Sequence, residues 1–412
     1  MAVILSIPGQ TMGVSVFTND LSAAMGLSPL NLSLTYLIGT VASAFILTPA
    51  GKLLDKWGAR KVGTGVMILL GLHLVGLSVM EKAVPALNRI LPGNAAGGFV
   101  LMVLGFFLLR FLGQGLLTLV GRTMFARWFD HHRGRANAIH GTFTSFGFSY
   151  APRFLNQLRD VHGWTGAWRL MGLLTASLFA GIFYLFARDN PKECGLEPDG
   201  GEVKGKVIKK QLPSGPETDF TLAEARRTFA FWIAALSLGM HSLFGTAMTF
   251  HLVDIFAEAD LTRSQAVALF LPASFISVGV NFVASWLSDY VKMRTLLQGQ
   301  LVAMGLSMAA LAALGSGESL LPLIIAYGLS GGFFSVSTTL IWPRYFGTTH
   351  LGAIMGLVMG FMVAGSALGP YFFSLIMSLS GAYRSASLTC LAVTVILLVL
   401  SLKVRKPKAP VR

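Results

Sequence analysis

Apolar runs long enough to span a bilayer alternate with short polar connections along almost the whole chain. They fall at 2–20, 30–50, 62–80, 98–121, 136–156, 167–187, 229–250, 265–286, 296–315, 320–342, 352–378 and 384–402, which predicts twelve transmembrane helices. The longest polar interval, 188–228, is rich in Lys, Gly, Pro and Glu and divides the runs into two sets of six. It ends in "TLAEARRTFAFW", where Thr221 and Glu224 stand at capping-box spacing and predict a short helix leading into the seventh run. The pattern therefore predicts an all-α membrane protein. A six-helix bundle occupies 1–187, a cytoplasmic linker 188–228, a second six-helix bundle 229–403 and a basic tail 404–412.

Composition agrees. Only 12% of the 412 residues are charged, against roughly 25% in a soluble domain. The first residues, "MAVILSIPGQTMGVSVF", have neither a cationic leader nor a small-residue cleavage site, so they read as a helix and not as a signal peptide. The chain begins almost inside that helix, and a short cytoplasmic lead is expected ahead of it. Cys194 and Cys390 are too far apart to form a metal motif or a disulfide framework.

The net charge of +14 would suit nucleic acid if it formed one patch. Its distribution says otherwise. With the 188–228 interval placed in the cytoplasm, 24 of the 32 Lys and Arg residues lie on that side. The basic charge is then a topology signal that puts both termini in the cytoplasm, and no nucleic-acid partner is expected.

The halves repeat each other. Aligning Asp55 with Asp289 also aligns Leu53 with Leu287 and Arg60 with Arg294. Further on, "RWFDHHRGRANAIHG" from Arg127 parallels "RYFGTTHLGAIMG" from Arg344 with a two-residue gap. Internal repeats of this kind build many transporters, with the substrate site near the repeat interface.

"GKLLDKWGARK", between the second and third runs, carries four cations and one anion. Gly51, Leu53, Asp55, Lys56, Gly58, Arg60 and Lys61 make it resemble the signature loop of the major facilitator superfamily. "RFLGQG" in the fourth run resembles that family's cavity-arginine motif. "GTFTSFGFSYAP" and "GFMVAGSALGP" resemble its helix-packing motifs, although Ala151-Pro152 replaces the final Gly-Pro in the first. The resemblance covers nearly the whole chain. It implies the major facilitator fold, two pseudo-symmetric six-helix bundles, and a cytoplasmic lock formed by Gly51, Asp55, Gly58 and Arg60. A second, eroded copy lies at Asp289 and Arg294, where Ser285 and Lys292 replace the two glycines; its lock is expected to be weaker. The linker end and "WPRYFGTTHLGAIMG" resemble the branch of bacterial monocarboxylate carriers and oxalate:formate antiporters. That branch's oxalate carriers have basic residues in the eighth and eleventh runs. Here the eighth offers Ser274, Ser277 and Asn281 and the eleventh has no charge, which counts against a dianion.

Candidate chemistry lies at depth. Arg110 falls near the centre of the fourth run, while all 18 acidic residues fall in loops or at run ends. An intramembrane arginine faces a cavity, and without a carboxylate nearby its expected partner is an anionic substrate. Gln114 lies one turn away on the same helix face. In the first run Pro8 and Gly9 either expose backbone groups or merely kink the helix, and Gln10 and Thr11 can hydrogen-bond cargo. Tyr150, Arg153 and Asn281 complete the substrate-binding candidates, although Arg153 is better suited to snorkelling and Asn281 to helix stitching. His241, at mid-depth in the seventh run, is the proton-carrying candidate, since histidine titrates near neutral pH; the alternative is a neutral, hydrogen-bonded core group.

No phosphate-binding loop of the Gly-x-x-x-x-Gly-Lys-Ser/Thr kind is present, so an ion gradient is the expected drive. These features point to a monomeric secondary transporter of the plasma membrane, carrying a small organic anion such as a monocarboxylate with a proton. They imply no metal, no cofactor and no enzymatic activity. An exporter of drug-like or siderophore-like molecules lacks its usual intramembrane carboxylates. A non-transporting sensor would have little use for a lock and a cavity arginine.

Overall fold

The computed structural model describes residues 2–90, 96–200, 219–315 and 320–408. Among them, ten helices are long and apolar enough to cross a membrane. We label these α1 (Pro29–Trp57), α2 (Ala59–Leu77), α3 (Ala96–Trp128), α4 (Arg133–Phe186), α5 (Phe229–Glu258), α6 (Phe270–Leu287), α7 (Met293–Ala312), α8 (Leu321–Phe346), α9 (Leu351–Ser380) and α10 (Tyr383–Ser401).

Two differences from the twelve expected spans have local causes. The stretch 2–20 is not one helix. It is broken into Ala2–Leu5, a 3-10 turn at Ile7–Gly9, Thr11–Ser15 and Thr18–Met25. Pro8 supplies no N–H and Gln10 is extended (φ −84°, ψ 157°), so the helical ladder stops between Ser6 and Thr11. The stretches 136–156 and 167–187 both lie in α4, a helical run of 54 residues. At about 1.5 Å per residue that is far longer than a bilayer core. Gly163, with φ 68° and ψ 167°, breaks it, a conformation that a side chain would disfavour. The short helix Leu222–Ala225 begins with the expected capping box between Thr221 and Glu224.

Cα packing divides the chain into two compact units that interleave along the sequence. One comprises Met1–Arg127, Thr144–Leu196 and Met355–Gly360. In it, Gly39 of α1 lies against the backbone of Val103 and Phe107 on α3, and Gly71 of α2 faces Gly172 of α4. The other comprises Trp128–Phe143, Glu197–Ile354 and Phe361–Arg412. There Gly328 and Gly332 of α8 sit on the carbonyls of Ala273 and Ser277 in α6, while Gly365 and Gly369 of α9 meet those of Gly239 and Leu243 in α5. Small residues at crossings let backbones approach where lipid gives no hydrophobic drive for association. The glycines of "GFMVAGSALGP" have this packing role.

Candidate substrate site and helix-end latches

Arg110 opens a π-helical segment, Arg110–Leu117, inside α3. One wide turn of this kind re-aims side chains and recurs at functional sites. Gly113 on this segment presses against Gly9, which brings the broken first segment onto α3. Arg110 is 1% exposed. Its Nη1 donates to the Gly9 carbonyl at 3.1 Å and to the Thr11 hydroxyl at 3.3 Å. Its guanidinium lies 5.0 Å from the centre of the Tyr36 ring, and Tyr36 shares a hydrogen bond of 3.0 Å with Thr11. Beside this group, the Gln10 amide donates to Ser6 at 3.0 Å and to Thr118 at 3.3 Å.

Nε and Nη2 of Arg110 are buried without a hydrogen-bond partner, as is Oε1 of Gln114. Nε and Nη2 form one edge of the guanidinium, the edge whose two parallel N–H groups match the two oxygens of a carboxylate. Among the described residues no carboxylate pairs with Arg110. The break in the first segment frees the Gly9 carbonyl to hold one side of Arg110, while the other side has no hydrogen-bond partner among the described residues.

Arg110, Gln10 and Thr11 are therefore brought together as expected, and Gln114 sits on the same π segment. Ser6, Tyr36 and Thr118 join them unforeseen; Tyr36 and Thr118 are polar groups on otherwise apolar helices, a signal the sequence does carry. Tyr150 and Arg153 do not join this cluster. Both are exposed and form no hydrogen bond or ion pair among the described residues. Asn281 is buried against Gly141, and its Oδ1 accepts from Ser285 at 3.4 Å, so its neighbours are those of a helix crossing. His241 stacks on Phe334 with ring centres 3.9 Å apart and shares a 3.1 Å hydrogen bond between its Nδ1 and the Ser330 hydroxyl.

The charged loops form two carboxylate–arginine pairs, the candidate latches. Asp55 meets Arg127 at 3.2 Å, and Asp289 meets Arg344 at 2.6 Å. These are repeat-related residues, so the same carboxylate–arginine pair forms twice. Asp289 also accepts from the Gly134 backbone N–H at 3.1 Å, and Asn137 donates to Ser285 at 2.8 Å. The second copy is not the weaker in contacts. The side chains of Asp289 and Arg344 are 1% and 8% exposed, against 10% and 13% for Asp55 and Arg127. Ser285, standing for a glycine, gives the hydroxyl that binds Asn137.

Arg60 departs from expectation. Expected in the lock, its side chain forms no ion pair among the described residues: it donates to the Tyr184 carbonyl at 2.7 Å and lies over the Tyr184 ring, while its backbone N–H donates to a carboxylate. That carboxylate is Asp189, at 2.6 Å. Gly51 is buried in α1. Gly58 has φ 83°, and a Cβ there would collide with Asp189. Two more aspartates of the linker act alike. Asp199 accepts from the backbone of Asp130 and His131, the latter at 2.7 Å, just before α4. Asp219 accepts from the Thr349 N–H at 3.0 Å and from its hydroxyl, just before α9. Each places a negative charge at the positive end of a helix.

Residues 1–342 match the family model for the Major Facilitator Superfamily. The chain belongs to that superfamily of transporters. It is 26% identical over 340 residues to human monocarboxylate transporter 11, a match that takes in 78% of this chain and 64% of that protein. Its fold is similar to that of the transporter FucP in its outward conformation (TM-score 0.65, 14% identity, 97% of this chain and 96% of that one). It is similar also to the human organic anion transporter MFSD10 (TM-score 0.64, 12% identity, 97% and 98%).

Proposed function

We propose that this protein is a secondary transporter that carries a small organic anion, monocarboxylate-like, by alternating access with proton coupling. In this reading the chain crosses the plasma membrane twelve times as two six-helix bundles with both termini in the cytoplasm, and works as a monomer without a cofactor. The broken first segment and the two parts of α4 supply the crossings beyond the other nine long helices. The observation that carries the reading is the buried guanidinium edge of Arg110, two donors with no protein acceptor. An unmatched buried donor is costly, and one carboxylate satisfies both at once. A monocarboxylate fits better than a dianion, since Arg110 is the sole fixed cation of its cluster among the described residues. The names of the human relative and of the organic anion transporter agree with this chemistry. His241 is the proposed proton carrier, with Ser330 fixing its ring.

The test is counterflow in proteoliposomes loaded with unlabelled lactate, pyruvate, formate, fucose or xylose. Labelled monocarboxylate should accumulate only against a monocarboxylate, and an inward-directed pH gradient should drive net uptake. Exchange of sugars and not of carboxylates would overturn the reading.

A further inference from the structure

A cavity of about 410 Å³ opens in the second unit where the start of α7, the end of α8 and the residues after α10 meet. Five of its nine lining residues are cations: Lys292, Arg294, Arg344, Arg405 and Lys406. None is acidic. Its remaining walls are carbon, from Val291, Met293 and Val404, with the Tyr345 ring.

Positive charge in loops beside membrane helices normally serves topology, and then it spreads into water. Here five cationic side chains border one concavity whose surface is mainly carbon. Arg344 is 7% exposed, and its Nε is buried without a hydrogen-bond partner. Its terminal nitrogens are used elsewhere, by Asp289 and by the Ser288 carbonyl and hydroxyl. The pair with Asp289 neutralises one cation, and Lys292, Arg294 and Arg405 remain on a wall that has no acidic residue. The three helix ends belong to apolar spans, so the cavity sits at the boundary between hydrocarbon and water, the depth of phospholipid headgroups. Its volume is within the range of ligand sites, and its mixture of cations and carbon suits an anion attached to an apolar body.

We propose that this cavity binds a phosphate-bearing anion, either the headgroup of an anionic phospholipid or free phosphate. Lys292, Arg294 and Arg405 supply the charge, beside the buried Arg344. The site is independent of the substrate reading, since it shares no residue with the Arg110 cluster. Occupied, it ties the chain after α10 to the start of α7 and the end of α8, next to the Asp289–Arg344 pair.

Thermal unfolding of the detergent-purified full chain tests this with three additives: short-chain dihexanoyl phosphatidylglycerol, the matching phosphatidylcholine, and sodium phosphate. Phosphatidylglycerol should raise the unfolding midpoint saturably, and phosphatidylcholine should not. A basic residue near an anionic headgroup is worth about fivefold in binding. Lys292→Gln with Arg405→Gln should therefore weaken half-saturation by more than tenfold, and added salt should weaken it in the parent protein. If sodium phosphate protects alone and competes with phosphatidylglycerol, the physiological source is free phosphate; if it does neither, the source is lipid. No shift with either anion, or an unchanged response in the double variant, would overturn the site. Should the double variant fail to unfold cooperatively, Arg405→Gln alone, on the exposed tail, carries the same comparison.

Discussion

Asp289 lies 2.6 Å from Arg344, with both side chains nearly excluded from solvent, and it reaches the Gly134 backbone N–H as well. Its repeat counterpart, Asp55, holds Arg127 at 3.2 Å in a more open setting. The two latches are thus alike in chemistry and unequal in burial, which orders the first set of expected effects.

Removing one partner of a buried pair costs about 3–5 kcal/mol because the other charge remains, whereas exposed pairs contribute about 0–1 kcal/mol. Asp289→Asn should lower the unfolding midpoint clearly more than Asp55→Asn does. Parallel thermal melts in one detergent decide it. Equal losses would mean that the burial difference has no energetic weight.

The Asp55 latch is expected to act on transport more than on binding. Asp55→Asn should slow uptake while leaving substrate affinity within a factor of about two, since the substrate groups lie elsewhere. Cysteine-labelling accessibility on each membrane face would report the shifted population of conformers. Unchanged labelling with slowed transport would refute a latch.

Arg110→Ala should weaken monocarboxylate binding by well over tenfold, since truncating one member of a desolvated ion pair costs about 2–5 kcal/mol. Arg110→Lys should recover part of that, because the charge returns without the two-donor edge. Calorimetric titration of folded variants separates this from a bracing role through the Gly9 carbonyl, which would alter stability and leave affinity alone.

His241→Gln keeps a hydrogen-bonding group near Ser330 and loses the titrating one. Exchange of cargo between loaded vesicles should persist, and accumulation driven by a pH gradient should vanish. Normal gradient-driven uptake in this variant would redirect the search to Asp254, whose carboxylate lies 3.8 Å from His251.

Gly58→Ala should destabilise by about 1–3 kcal/mol from backbone strain alone, and by more if Asp189 must give way. Adding Asp189→Ala should then recover part of the loss. A double variant no better than the single one would show that the collision is not felt.

Much of this was legible in the chain. Apolar length marked the helices, the loop motif marked Asp55 and Asp289 but not their partners Arg127 and Arg344, and an arginine isolated within an apolar run marked the candidate site. Three things were not. The π-helical turn at Arg110–Leu117 leaves no mark on periodicity, since one widened turn shifts later residues by less than the blur of the pattern. Tyr36 reaches Arg110 only because α1 crosses α3 at Gly39 and Phe107, a contact between positions far apart in sequence. Asp189, Asp199 and Asp219 read as ordinary loop acids, because an aspartate capping a helix distant in sequence has no fixed spacing to recognise. The eroded loop at Ser285–Arg294 misled in the other direction. Loss of glycines there reads as a weaker lock, whereas the serine that replaced one of them brings a hydrogen bond to Asn137.

The three linker aspartates also govern how this chain can be divided. A cut between 200 and 219 leaves Asp189 and Asp199 on the first fragment and Asp219 on the second. The first fragment then keeps both its own aspartate caps, at Arg60 and at Asp130 and His131, and the second keeps its cap at Thr349. Two separately encoded fragments joined at that interval would each carry their own helix-end charges, and co-expression could reassemble a working protein. A cut made ten residues earlier, or a tag inserted at Asp189, would separate or displace a carboxylate from the helix end it serves.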